Sequence, residues 1–212
     1  MKVGQIYEKY CVPKNLTDHM LRVASLATIV SQNWKGDELD FDSIINTCLF
    51  HDIGKPIMFD ISKQAQFGMG EKEIKDLEKL QIRLKKNYGK DEHKATVSIC
   101  GEIGLSNNSI KFAIDLEWKY IPRLLKHNNI GSLVPIYCDM RIGPKGVLKL
   151  EKRMEELKNR TTADDYKENF ENGTALERLI QQSLIIDVNS LDDNQINAVI
   201  GGLLDREIIK NS

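Results

Sequence analysis

Phe50-His51-Asp52-Ile53-Gly54-Lys55-Pro56 is the stretch from which this chain is best read. Ahead of it, Ile44, Ile45, Cys48 and Leu49 recur at helical spacing, and Asp40 or Asp42 stands where a cap is needed. Gly54 and Pro56 stop the helix. The His51-Asp52 pair is therefore expected on the last turn of a buried helix, with an open loop beyond it. An imidazole and a carboxylate side by side offer a nitrogen and an oxygen ligand at nearly one point. Such donors suit borderline divalent metals. The chain has four histidines. His19 lies upstream, His93 and His127 lie downstream, and Asp139 follows in Tyr137-Cys138-Asp139-Met140-Arg141. Six ligands of this kind exceed what one tetrahedral zinc takes. They suit two metals sharing a bridge, an arrangement fit for hydrolysis at phosphorus.

Composition bounds the rest. At 212 residues the chain is long enough for one domain with a real core. Thirty lysines and arginines face 31 aspartates and glutamates, so nothing in the charge points to nucleic acid as a partner. Cys11, Cys48, Cys100 and Cys138 are widely spaced and form no CxxC pair, which reads as reduced thiols in a cytoplasmic protein. Cys48 and Cys138 neighbour candidate ligands, but free cysteine is usually a small buried hydrophobe. Neither a signal-peptide core nor an apolar run of membrane-spanning length is present, so no membrane partner is expected.

The periodicity is helical almost throughout, and the expected class is all-α. Leu16, Met20, Val23, Ala24, Ala27 and Val30 predict a helix capped by Asn15 or Thr17 and running to about Asn33. Residues 57–70 read as a loop able to cover the site. Residues 71–88 read as an amphipathic helix, closed by Gly89. Asp91 is expected to cap the next helix, with His93 in its first turn. Ser106 to Ser109 reads as a turn, then one or two helices run to His127 with a break near Pro122. Residues 128–132 read as a loop, and a short apolar helix from Leu133 carries Asp139. Gly143-Pro144-Lys145-Gly146 breaks that helix, and a charged helix runs on to about Arg160. A cap is expected over Thr161–Asp165, with two or three more helices after it.

The pattern resembles the HD superfamily of metal-dependent phosphohydrolases. Its signature is one histidine, a His-Asp pair and a distant aspartate, matched here by His19, His51-Asp52 and Asp139. The contexts His19-Met20-Leu21-Arg22-Val23-Ala24 and His51-Asp52-Ile53-Gly54-Lys55 match as well. His93 and His127 fall where two-metal members carry extra histidines. His127-Asn128-Asn129-Ile130-Gly131 is similar to a turn in small HD hydrolases of dinucleoside polyphosphates. The resemblance covers roughly residues 14–155; an HD-like helical bundle is expected over residues 1–160, with a helical extension over 161–212 packed on the same domain. It implies that Asp52 bridges two metals ~3.5–4 Å apart. His19, His51 and Asp139 would complete one metal, and His93 and His127 the other. The metals could be Fe, Mn, Co, Ni, Zn or Mg. A metal-bound hydroxide would attack phosphorus in a nucleotide or dinucleoside polyphosphate. Ligating imidazoles must be neutral, so metal binding is expected to weaken below about pH 6.5.

Lys55 follows His51 by four residues and is a candidate contact for a substrate phosphate. Arg22, three residues after His19, could do the same, orient a ligating carboxylate, or simply pair with Asp18. Arg141 and Lys145 are further phosphate candidates. Asp91 and Glu92 could orient His93. The plainer alternatives are a helix-capping His93, a solvent-exposed His127 at a helix C-terminus, and a solvated lysine face over 72–90. Two other functions fit the same ligands: a two-iron oxygenase of a small polyol or phosphonate, and a non-catalytic nucleotide sensor.

Overall fold

The computed structural model describes residues 1–158 and 163–209. Its centre is α2 (Lys14–Gln32), with Met20, Val23, Ala24, Leu26 and Ala27 fully buried. Helix α3 (Phe41–Phe50) packs on α2, and α8 (Ile130–Arg141) packs on both. These three helices carry His19, the helix end before His51, and Asp139. Pro13, with φ fixed near −58°, stands at the N-cap of α2, so the helix starts ahead of Asn15 and Thr17. Asp40 caps α3: its Oδ1 accepts from Ser43 N at 3.0 Å, and its Oδ2 accepts from Asn108 Nδ2 at 2.8 Å. The cap thereby ties α3 to α6 (Asn107–Asp115).

The expected loop over 57–70 holds two 3-10 segments, Lys55–Met58 and Ile61–Phe67. Pro56 in the first turn allows the earlier one, and Asp60 caps the later one through Ser62 N. Gln81, on α4 (Glu71–Tyr88), donates to the Pro56 and Phe59 carbonyls and holds this stretch down. Asp91 caps α5 (Glu92–Ile103) by accepting from the His93 and Lys94 amides. The break expected at Pro122 falls earlier, at Leu116 and Glu117. It is followed by a 3-10 turn at Trp118–Tyr120 and then by α7 (Ile121–Lys126). Pro122 lies in the first turn of α7, where the missing N–H costs nothing. Asn128, with φ of 50°, turns the chain into α8.

Beyond α8, Ile142–Gly143 and Gly146–Val147 form a minimal antiparallel hairpin, the one sheet among the described residues. Helix α9 (Leu150–Lys158) follows. The capping side chains expected over 161–165 lie outside the described residues. Helix α10 (Ala163–Gln182) adds Leu176 and Ile180 to the same apolar core as α2, α3 and α8. Past its end, Lys35 N donates to Ser183 O and Ile185 N to Asn33 O, at 2.9 and 3.0 Å. Helix α11 (Asp193–Asp205) packs on α2. The sequence reading left α1 (Val3–Tyr10) unassigned, although Val3, Ile6 and Tyr7 mark its buried stripe. The first residues pair with the segment after α11, with Val3 N on Arg206 O at 3.0 Å and Ile208 N on Met1 O at 2.9 Å. Among the described residues no helix is long and apolar enough to cross a membrane.

Asp40→Ala should lower the unfolding free energy by about 1 kcal/mol at neutral pH. Burial pushes the Asp40 carboxyl up, but hydrogen bonds from Asn108 and Ser43 outweigh it and hold the group below its ordinary 3.8. A depressed folded value means the contribution is complete above the unfolded value and is lost as pH falls through the folded one. Urea titrations of wild type and variant should therefore converge as pH is lowered below about 4.

Candidate metal centre

His51 is the C-cap of α3, one residue past its last full turn. A helix end leaves carbonyls unpaired, and His51 Nδ1 donates to one of them, Cys48 O, at 2.8 Å. A carbonyl only accepts, so the proton sits on Nδ1 and Nε2 presents a bare lone pair. The side chain is fully buried, and Nε2 has no hydrogen-bond partner. Leaving such an acceptor unpaired costs roughly 1–3 kcal/mol. Its neighbours are Asp139 Oδ1 at 3.5 Å and Asp52 Oδ2 at 3.8 Å.

His19, on α2, brings Nε2 to 3.0 Å from Asp139 Oδ1 and 3.9 Å from Asp52 Oδ2. The His19 and His51 ring centroids lie 5.3 Å apart, with the rings tilted 60° to one another. One donor atom each from His19, His51 and Asp139 fall within 4.8 Å of one another, a spacing that could hold a metal ion. Two imidazoles and one carboxylate make a mixed nitrogen and oxygen donor set, which fits a borderline divalent cation, and Asp52 stands beside that group rather than within it. Burial pushes the Asp139 carboxyl up, but His19 and His51 outweigh it and hold the group well below the usual carboxylate range. Burial lowers His51, and the Asp52 and Asp139 charges overcome that and raise it. An imidazole pressed between carboxylates is drawn toward a proton, and a cation can take that proton's place.

Lys55 Nζ lies 3.2 Å from Asp52 Oδ1 and 3.1 Å from its Oδ2. Burial lowers this ammonium, and the Asp52 and Asp139 charges raise it further, so it stays charged. The turn carrying His51 to Lys55 is pressed onto α5. Gly54 N donates to Thr96 Oγ1 at 3.1 Å. A Cβ at position 54 would come within 2.5 Å of Glu92 O and 2.7 Å of Thr96 N, so only glycine permits this approach.

A cavity of about 450 Å³ opens beside the cluster. His51, Asp52, Lys55 and Asp139 form one part of its lining; Asp91, Glu92, His93 and Thr96 another; and Leu116 to Lys119 a third. His93 thus reaches the same cavity as Asp52. Its Nε2 bonds Ile114 O at 3.1 Å and lies 3.7 Å from Glu117 Oε1. Ring orientation therefore comes from the last turn of α6 and the residues just past it, while Asp91 holds only the His93 backbone. Burial raises the Glu92 carboxyl, aided by Asp52 and Asp91 and opposed by Lys55.

The fold leaves five expected residues out of this lining; His19, one of them, stays in the donor cluster behind it. His127 is exposed at the C-cap of α7. Arg22 is half-buried on α2, and Asp18 pairs with Lys14 at 2.7 Å. Arg141 was expected at a phosphate but is turned into the core, 1% exposed. Its guanidinium donates to Leu148 O, Tyr137 Oη, Glu177 Oε2 and Val188 O, so its donors are engaged in the framework. Lys145 is exposed in the hairpin turn. Cys48 and Cys138 are free, buried thiols behind the site, and burial holds Cys48 protonated. Glu117, Trp118 and Lys119 escaped the sequence reading because no motif marks them. Thr96 carried a weak signal, three residues after His93 on one helix face.

The family model described as the HD domain matches residues 6–102. That match supports HD superfamily membership and covers His19, His51, Asp52, Lys55 and His93. Asp139 is brought to them by α8. No curated protein and no solved structure gives a significant match.

Gly54→Ala should destabilise the protein by roughly 1–3 kcal/mol through overpacking against backbone. It should also weaken metal retention, because the His51–Asp52 turn must back away from α5. Thermal unfolding and metal analysis on the same sample check this. Unchanged values for both would mean that the close approach is absent.

Proposed function

We propose that the chain is a metal-dependent phosphohydrolase acting on a nucleotide or dinucleoside polyphosphate. One observation carries the reading: the buried, unpaired Nε2 of His51, aimed among Asp139, Asp52 and His19 at the edge of a cavity that also holds an ammonium. Bound there, a divalent ion supplies an acidified water and polarises a phosphoryl oxygen. His19, His51 and Asp139 would hold it, with Asp52 beside them. The Cys48 carbonyl keeps the His51 proton on the far nitrogen and the ligating nitrogen free. Lys55, anchored on Asp52 and open to the cavity, attracts the substrate phosphate and balances its charge.

The geometry favours one ion over two. A second ion would share Asp52 and take His93 from the cavity wall, and His127 supports neither. We therefore expect about one tightly held ion per chain. Oxygenase chemistry on a small polyol finds less support, since the cavity is larger than such a substrate. A sensor without turnover would use the same phosphate contact at Lys55, and turnover by the metal-loaded protein separates the two.

Metal-replete protein should release phosphate from nucleotides, and chelation should abolish this. His51→Ala and Asp52→Ala should lose bound metal, whereas His127→Ala should keep it. Lys55→Ala should keep metal and lower kcat/KM by roughly 10- to 100-fold. Absence of hydrolysis with metal bound, read as phosphate from nucleotides and as mononucleotides from dinucleoside polyphosphates, would overturn the hydrolase reading. Loss of half the metal in His127→Ala would restore a two-ion centre.

A further inference from the structure

Most of the cavity lining is charged or polar, and its apolar part comes from Leu116 and Trp118. Trp118 is half-buried, packed in part against the core, and opens the 3-10 turn between α6 and α7. This turn is firmly fastened. Asp115, nearly buried at the end of α6, accepts from Arg123 Nη2 at 2.6 Å and from Ser132 Oγ at 2.8 Å. Glu117 N donates to Asp115 O at 2.8 Å, and Tyr120 N to Glu117 O at 3.0 Å. The Arg123 guanidinium stacks on the Tyr120 ring at 4.6 Å. Three elements, α6, α7 and α8, thus hold one indole in the wall of a cavity whose other walls carry the metal cluster and Lys55.

An indole contributes a flat, polarisable face with little conformational freedom to lose on contact. In a charged cavity such a face recognises a planar ring joined to an anionic group. We propose that Trp118 is the specificity-determining residue of this site, stacking on the base of a nucleoside phosphate whose phosphate lies toward Lys55 and the metal cluster. The assignment rests on the phosphohydrolase reading and adds what selects the substrate. Stacking alone does not read base edges, so purine and pyrimidine nucleotides should differ little beside the gap between any nucleotide and a base-free sugar phosphate.

The chain has two tryptophans, which makes the contact directly observable. Trp34 lies elsewhere, its Nε1 donating to Asp37 O at 2.8 Å and its backbone bridged to Leu184. In a Trp34→Phe protein the emission belongs to Trp118. Titration of this metal-loaded protein with adenosine monophosphate should quench the emission, and ribose 5-phosphate should not. In phosphate-release assays, wild type should prefer adenosine monophosphate over ribose 5-phosphate by roughly 10- to 100-fold in kcat/KM. Trp118→Ala should collapse that ratio through a raised KM for the nucleotide, and Trp118→Phe should restore most of it. A wild-type ratio near one, a ratio kept in Trp118→Ala, or equal quenching by both ligands would overturn the assignment while leaving the hydrolase reading intact. If neither compound is hydrolysed, the wider set of nucleotides and dinucleoside polyphosphates decides the hydrolase reading, and the quenching experiment still decides whether Trp118 meets a base.

Discussion

The hydrogen bond from His51 Nδ1 to the Cys48 carbonyl is the constraint on which this site turns. It uses a carbonyl that the end of α3 leaves free, so it exists because the helix stops there. It fixes the tautomer and the ring plane together, and it leaves Nε2 bare in a buried place. An acceptor stranded in this way raises the energy of the empty fold. The same strandedness makes a cation the natural partner, because a cation answers the lone pair and the two carboxylates at once.

Positioning that nitrogen takes three helices from distant parts of the chain. Helix α2 supplies His19, α3 ends on His51, and α8 brings Asp139, while buried aliphatic side chains hold the three together. The turn after α3 has its own brace. Gly54 lets it lie against the first turns of α5, and Thr96 takes up the freed amide. A site built on helices and on one clamped turn keeps its donors within the tolerance that metal chemistry demands.

Much of this was legible because local chemistry and helical spacing are written in neighbouring residues. The helix over 71–88 follows from Leu77, Leu80 and Leu84 on one stripe, with glycines at both ends. Asp91 announces itself as a cap, and His51-Asp52 announces a ligand pair. Asp139 was legible through a family pattern, since nothing local in an apolar helix marks it. Long-range packing escaped the reading. Arg141 looks like a surface cation in sequence, yet Tyr137, Leu148, Glu177 and Val188 converge on it from separate elements. His127 has the right spacing and falls where α7 ends in solvent. The wall from Leu116 to Lys119 is irregular backbone whose role depends on where α6 and α7 put it. Pro122 misled because proline both ends helices and begins them.

The buried guanidinium of Arg141 has a consequence for how the molecule opens. It sits two residues after Asp139, and part of its satisfaction comes from Glu177 on α10 and from Val188 beyond it. Peeling away the C-terminal helices would take two acceptors from this guanidinium at once. Fraying of that layer and distortion of the ligand helix are therefore one cooperative event. The described C-terminal helices thus bear on the ligand helix without lining the cavity.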